Sequence, residues 1–471
     1  MQHNSRSRRP PLLVLSMLLA LPIMAAEISV SSVAELTKAA AEAKPGDAIT
    51  LADGQYDEPC TLEAKGTAEQ PVVIRSETIG GANLRGRLRI ARDHVTLSGF
   101  RFTGKGWVFI KARGIRMTRC TMTNVQNGKW VQVDRASRNV EIDHCLFEKK
   151  ENNRTRKSGC QLLQIVVTNK KERHHLHHNH FRDIPKGRGN GFETVQLITQ
   201  GNPFDPPPGH SGTVVEDNLF ERCNGEAEII SVKSNGNLFR RNTFRACYGG
   251  LVFRHGDANV AIQNLFLGDG EKGSGGIRIQ GTDQVIVNNY FHNLGRAGVS
   301  MMDGTPDKLY VRVERASILH NTFLNCRHGL EVGINHPKYP DGTVPRQCLV
   351  AGNIFAGGSQ IVRYVKDDQP GEWQWSDNIF QGKLGIPPLD GMREQDPHLQ
   401  SPEDGLPLPT ARTPVAERPP AKPHMLTEDL NGSHRPSRRT LGALQFSQNL
   451  IAPRPLTPEQ VGPHAKGLPT N

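Results

Sequence analysis

The sequence predicts an all-β fold: a single-stranded right-handed parallel β-helix, closed at its N-terminal end by a capping helix. Three observations predict it. The first is a recurring Asn-x-Phe, at Asn179-His180-Phe181, Asn218-Leu219-Phe220, Asn242-Thr243-Phe244, Asn264-Leu265-Phe266, Asn289-Tyr290-Phe291, Asn321-Thr322-Phe323, Asn353-Ile354-Phe355 and Asn378-Ile379-Phe380. With the degenerate copies at Phe100, Cys120 and Cys145, the intervals run from 20 to 39 residues. Repetition with variable insertions is the mark of a solenoid. The second is composition: 47 Gly, 32 Pro and 6% aromatics among 471 residues favour many turns and short strands over long helices. The third is local pattern. Pieces such as Gly276-Ile277-Arg278-Ile279 and Gln284-Val285-Ile286-Val287 are β-rich, and helical periodicity is missing.

Taken in order, the chain opens with a secretory signal peptide over 1–26. Arg6, Arg8 and Arg9 form its basic start, Leu12 to Leu21 its apolar run, and Ala25-Ala26 its cleavage site. The apolar run is too short to span a bilayer comfortably, and no later segment reads as transmembrane. The expectation is an exported protein, periplasmic or extracellular. Removing the signal lowers the net charge from +11 to +8. A basic exported protein suits a polyanionic partner, although solubility explains the same charge. Nucleic acid is disfavoured because no basic run is interleaved with aromatics.

Ile28-Ser29-Val30 reads as a short strand, and Ser32-Val33-Ala34-Glu35 has capping-box spacing. A helix from there to about Lys44, ended by Pro45-Gly46-Asp47, would cover the open end of the solenoid. Ala48 to Tyr56 reads as a strand and turn, and the solenoid domain runs over 27–380. Residues 385–425 hold ten prolines, so 381–450 reads as an extension lying along the helix, with one last strand at Ala443 to Phe446. Residues 451–471 read as a loose tail.

In a stack of coils, equivalent residues lie roughly 4.8 Å apart. The asparagines then form a ladder of amides and the phenylalanines a buried stack, both structural. Eight cysteines are scattered with no CxxC, which disfavours a zinc site; buried free thiols are expected. Cys223, Cys247 and Cys326 each follow a repeat phenylalanine by three residues, as stacked core residues would. The histidines at 174, 175, 177, 178 and 180 read as an exposed strand edge rather than a metal site. Long insertions lie between Phe147 and Asn179 and between Phe181 and Asn218. The second carries the proline-rich loop Asn202-Pro203-Phe204-Asp205-Pro206-Pro207-Pro208. Such loops commonly build a solenoid's binding groove.

The chemistry gathers between Asn224 and Arg278. In Glu226-Ala227-Glu228, strand alternation would put both carboxylates on one face. Lys233 follows on the same coil, Arg254-His255 on the next and Arg278 on the one after, all on one outer wall. Hard cations such as calcium take oxygen ligands, which Glu226 and Glu228 supply, with Asn190 one coil earlier adding an amide oxygen. A solvated acidic pair balanced by arginines is the competing reading. A glycoside hydrolase would use two carboxylates across the bond, but adjacent alternate positions sit too close for an inverting pair. It would also leave Lys233 and Arg254 unexplained.

Gly225-Glu226-Ala227-Glu228-Ile229-Ile230-Ser231-Val232-Lys233, Phe253-Arg254-His255-Gly256 and Gly275-Gly276-Ile277-Arg278 together resemble polysaccharide lyase family 6, and Asn190-Gly191-Phe192-Glu193-Thr194 resembles its upstream Asn-Gly-x-Glu motif. That family holds alginate lyases and the dermatan-sulfate-cleaving chondroitinase B type. The resemblance covers roughly 27–380. It implies calcium-assisted β-elimination on an acidic polysaccharide of uronic acids, most often alginate, with a glycosaminoglycan second. It further implies Lys233 as general base, Arg254 as general acid, Asn190, Glu226 and Glu228 as calcium ligands, and His255 and Arg278 as substrate-binding residues. A lysine base needs cationic neighbours to shed its proton near neutral pH. One departure stands out. Gln196 occupies the position, three residues after the motif glutamate, where the family often has arginine, and the loop beyond is longer. A β-helix that binds acidic glycan without cleaving it is the rival from another class.

Overall fold

The computed structural model describes residues 25–466 except 203, 335–338, 340–341, 367–371, 404 and 419–421. The expected signal peptide therefore lies outside the described residues apart from Ala25 and Ala26. Among the described residues, three long parallel sheets of 14, 12 and 14 strands run side by side, each strand pairing with its counterpart one coil away. A two-stranded antiparallel pair stands apart from them in the extension. The architecture is the expected parallel β-helix.

Alternation explains why these short strands form. In Leu88–Ile90, Val108–Ile110 and Val131–Val133 the outer two residues point inward and are buried. One continuous apolar core fills the coil interior. The repeat phenylalanines supply its spine. Phe147, Phe181, Phe220, Phe244, Phe266, Phe291, Phe323 and Phe355 stack with centroids 4.6–5.0 Å apart and planes within 13° of parallel.

The asparagines make the corner between the two 14-stranded sheets. From Asn179 to Asn378, each side-chain amide donates to the next Asn Oδ1 at 2.9–3.1 Å. The residue before each rung is left-handed, with φ from 48° at His320 to 69° at Gly352. That conformation costs a non-glycine residue about 1 kcal/mol. The rung offsets it, because the same Oδ1 also takes the backbone N–H of the preceding asparagine, as Asn242 does for Asn218. All eight cysteines are free and buried, and Cys223 stacks on Cys247 as expected.

The helix Val33–Glu42 closes the N-terminal end. Ser32 Oγ accepts from Glu35 N at 3.2 Å, Glu35 reaches back to Ser31 N at 2.8 Å, and Val33, Leu36 and Ala40 face the core. The extension packs on two outer faces of the solenoid. Leu426 covers Val285, Val287 and Leu319, while Leu430, Ala443 and Leu444 cover Leu265, Tyr290 and Leu324. Ala443 to Phe446 forms no strand; its backbone goes to the body instead, with Ala443 N donating to Thr322 Oγ1 at 2.9 Å.

Residues 451–466 differ from the loose tail expected. Gly462 N donates to His178 O at 2.9 Å, Pro463 O accepts from Arg119 at 2.7 Å, and Val461 and Ala465 are buried. Two apolar side chains and backbone bonds to the body hold this stretch down. Residues 467–471 lie outside the described residues. No described helix is long and apolar enough to cross a membrane.

Candidate active site

The 12-stranded sheet carries the residues singled out in the sequence. In Glu228–Lys233, Ile230 and Val232 turn inward, leaving Ser231 and Lys233 outward. Lys233 pairs in register with Ile198 on one side and His255 on the other. Val232 pairs with Phe253, so between Val232 and Lys233 the register slips and Arg254 is an extra residue. This is a β-bulge, and it turns Arg254 out of strict alternation.

Three carboxylates converge beside this strand. Oxygens of Glu193, Glu226 and Glu228 lie within 4.8 Å of one another. The strand begins at Glu228, so a turn rather than strand alternation brings Glu226 to its neighbour. Glu193 is the member to which the sequence reading gave no role. Val195 pairs with Ile230, which sets Glu193 level with Glu228, and that signal was available from aligned repeats. Asn190 lies exposed in the turn just before it.

Glu193 is held by a run of glutamines. Gln132 donates to Gln164 at 3.4 Å and Gln164 to Gln196 at 2.7 Å; Gln196 then donates to Glu193 Oε1 at 2.8 Å. Gln161 donates to the other oxygen at 3.0 Å. Gln196 thus orients a carboxylate from the position where the family often has arginine.

Crowding divides the three acids. Burial, then the charges of Glu193 and Glu228, push Glu226 up to about 8. Burial also raises Glu193. Glu228 goes the other way. Burial works against its charge, but Arg278, Arg254 and Ser231 outweigh it and hold it below the ordinary value. Arg278 Nη2 pairs with Glu228 Oε1, Arg254 Nε lies 3.4 Å from the same oxygen, and Ser231 Oγ donates at 2.6 Å to the other. An all-oxygen cluster with one carboxyl kept protonated by its neighbours suits a hard cation, which would relieve that repulsion.

Arg254 is fixed from a second loop. Its Nη1 donates to Leu309 O at 2.6 Å, and its guanidinium lies 4.9 Å from the Tyr310 ring centroid. Burial lowers its pKa. His255 is fully buried, and burial with Arg254 and Lys233 nearby takes it down to about 3. Neither ring nitrogen has a partner among the described residues. The Phe204 ring meets it edge-on at 5.0 Å. Beyond them a cavity of about 470 Å³ opens between Phe204 and Tyr310. A larger cavity, about 570 Å³, lies under the extension near Trp373 and Trp375 and holds none of these residues.

The chain is similar in sequence and fold to known proteins. The chondroitinase B family profile matches residues 30–369. The chain belongs to polysaccharide lyase family 6, the family of chondroitinase B. Among solved structures, the family 6 alginate lyase AlyGC is 29% identical with a TM-score of 0.73, over 82% of this chain and 56% of that one. This chain thus spans little more than half the length of AlyGC. A mannuronic-acid-specific family 6 lyase from human gut microbiota is 31% identical with a TM-score of 0.66, covering 75% of this chain and 86% of that one. A family 6 lyase from Pseudopedobacter saltans shares the fold along 93% of this chain and 99% of its own, at 21% identity and a TM-score of 0.70. No curated protein sequence matches the chain.

Proposed function

We propose that the protein is an exported, calcium-assisted polysaccharide lyase that cleaves a uronate polymer, with alginate as its substrate. The observation that carries this reading is the meeting of Lys233, Arg254 and three carboxylates on neighbouring coils. Similarity to a mannuronic-acid-specific lyase at 31% identity supports the choice of polymer.

Each residue has a task in β-elimination. Lys233 takes the C5 proton of the uronate. The electron pair forms the C4–C5 double bond, the C4–O4 bond breaks, and the leaving O4 takes a proton. Arginine is ordinarily a poor proton donor because its pKa is so high. Burial lowers that of Arg254, which favours donation to O4 directly or through water. Arg278, partly exposed, binds the chain beside them, and His255 backs the site from behind the Phe204 ring. Calcium held by Glu193, Glu226 and Glu228, with Asn190 in the adjoining turn as a further oxygen donor, would neutralise the substrate carboxylate and so make the C5 proton more acidic.

The test is to digest alginate and dermatan sulfate with calcium present and follow the ultraviolet absorbance of the 4,5-unsaturated product. Alginate should give the signal. Dermatan sulfate is the second reading, favoured by the chondroitinase B profile. Folded protein that yields no unsaturated product from either polymer sinks both.

A further inference from the structure

We propose that the proline-rich loop builds a sugar subsite beside Arg254 and His255, with Phe204 as the platform on which one pyranose ring of the uronate chain stacks. The proposal rests on the uronate-lyase reading and names a specificity residue for it.

Position carries the argument first. Phe204 is 41% exposed, yet its ring stands against His255, whose nitrogens have no partner among the described residues. The loop that carries the ring is also held in place. Asn202 Oδ1 accepts from Phe204 N at 3.0 Å, and Pro207 O is gripped by Asn169 at 2.7 Å and Asn235 at 3.1 Å, from coils on either side. An aromatic on an anchored loop loses little freedom when it binds.

The cavity supplies the rest. Lining it with Phe204 are Tyr310, which lies against Arg254, and a polar set of Asn235, Asp257, Thr282 and Lys308. A pyranose has an apolar C–H face and a rim of hydroxyls, so it needs an aromatic plane with amide, hydroxyl and carboxylate groups around it. Lys308 can answer a uronate carboxylate. It lies 4.0 Å from Asp205 with both side chains mostly exposed, and such a pair is weak enough to be replaced. The loop belongs to the longest insertion in the repeat, between Phe181 and Asn218, so the subsite is an addition to the regular coil.

The experiment compares wild type, Phe204→Ala and Phe204→Tyr on alginate, and measures binding of a saturated mannuronate tetramer in the Lys233→Ala background with and without Phe204→Ala. Loss of the ring should raise KM about three- to tenfold, with a smaller change in kcat, and weaken tetramer binding by the same factor. Tyrosine should restore both, and the melting temperature should not move. Unchanged KM and tetramer affinity in Phe204→Ala overturn the subsite, while loss of product in Lys233→Ala leaves the lyase reading standing. If wild type yields no unsaturated product the lyase reading fails, and tetramer affinity alone decides the subsite. Loss of tetramer binding on removing Phe204 then supports it; equal affinity, or no binding at all, rejects it.

Discussion

The two sides of the solenoid follow opposite rules. At the asparagine corner and along the phenylalanine stack, coil after coil repeats the same side chain in unbroken register, as in Phe244 with Phe266 and Phe266 with Phe291. Over the same coils, the 12-stranded sheet slips register between Glu228–Lys233 and Gly249–His255, again between Gly249–His255 and Ser274–Ile279, and later between Ala297–Met302 and His328–Ile334. Identical side chains gain by stacking, so their side has reason to stay in step. Unlike groups that must meet at one point gain nothing from it. The contrast separates residues kept for stability from residues kept for chemistry, and it can be broken experimentally from either side.

The largest effect expected is on the irregular side. Lys233→Ala should cost about 10²–10⁴-fold in rate on alginate, the range for losing a positioned acid–base group, with an unchanged melting curve because the side chain lies outside the core. A variant retaining full activity would remove the proposed base.

The mirror experiment is Phe266→Ala. Its ring is fully buried between Phe244 and Phe291, so the cavity should cost about 3–5 kcal/mol in denaturant unfolding. Whatever stays folded should keep its kcat, since the ring points into the core while Lys233 and Arg254 stand on the outer wall. Asn289→Ala is expected to be milder, about 1–3 kcal/mol. It leaves Asn264 without its acceptor at 2.9 Å and empties one rung of the ladder. A loss below about 0.5 kcal/mol would say that the ladder is decoration.

A separate effect concerns proton linkage. Glu226 is raised from 4.5 to about 8. A raised acid stabilises the fold while protonated, so this contribution is present below pH 4.5 and is lost as pH climbs through about 8. Chelator-treated protein should therefore melt progressively lower from pH 5 to 8, and calcium should abolish the trend. Calcium must displace that proton, so its affinity should fall about tenfold per unit as pH drops below 8. Titration calorimetry at pH 6 and 7 would measure it, and equal affinities would detach Glu226 from the metal.

How much could be read in the sequence divides along the same line. Asn-x-Phe announces its own role, because a repeated residue in a stack can only meet copies of itself. Lys233, Arg254, His255 and Arg278 were legible as one wall once the coils were counted. The bulge at Arg254 was not, since one extra residue in a strand leaves no mark on composition or alternation. Glu193 was hidden for a different reason: its partners are 33 and 35 residues away, and only register brings them together. The hold of Leu309 and Tyr310 on Arg254 comes from 55 and 56 residues further along the chain and has no local pattern at all. The anchoring of 451–466 depends on Val461 and Ala465 finding cover, which a tail rich in proline and polar residues conceals.

The extra residue at 254 has a further consequence. A pleated strand shows every second residue to the outside, which limits how many reactive groups fit in one layer of a solenoid. By adding one residue without adding height, the chain places Arg254 and His255 side by side between the Phe253 that fills the core and the turn at Gly256. Deleting Arg254 would restore strict alternation and leave His255 alone opposite Lys233.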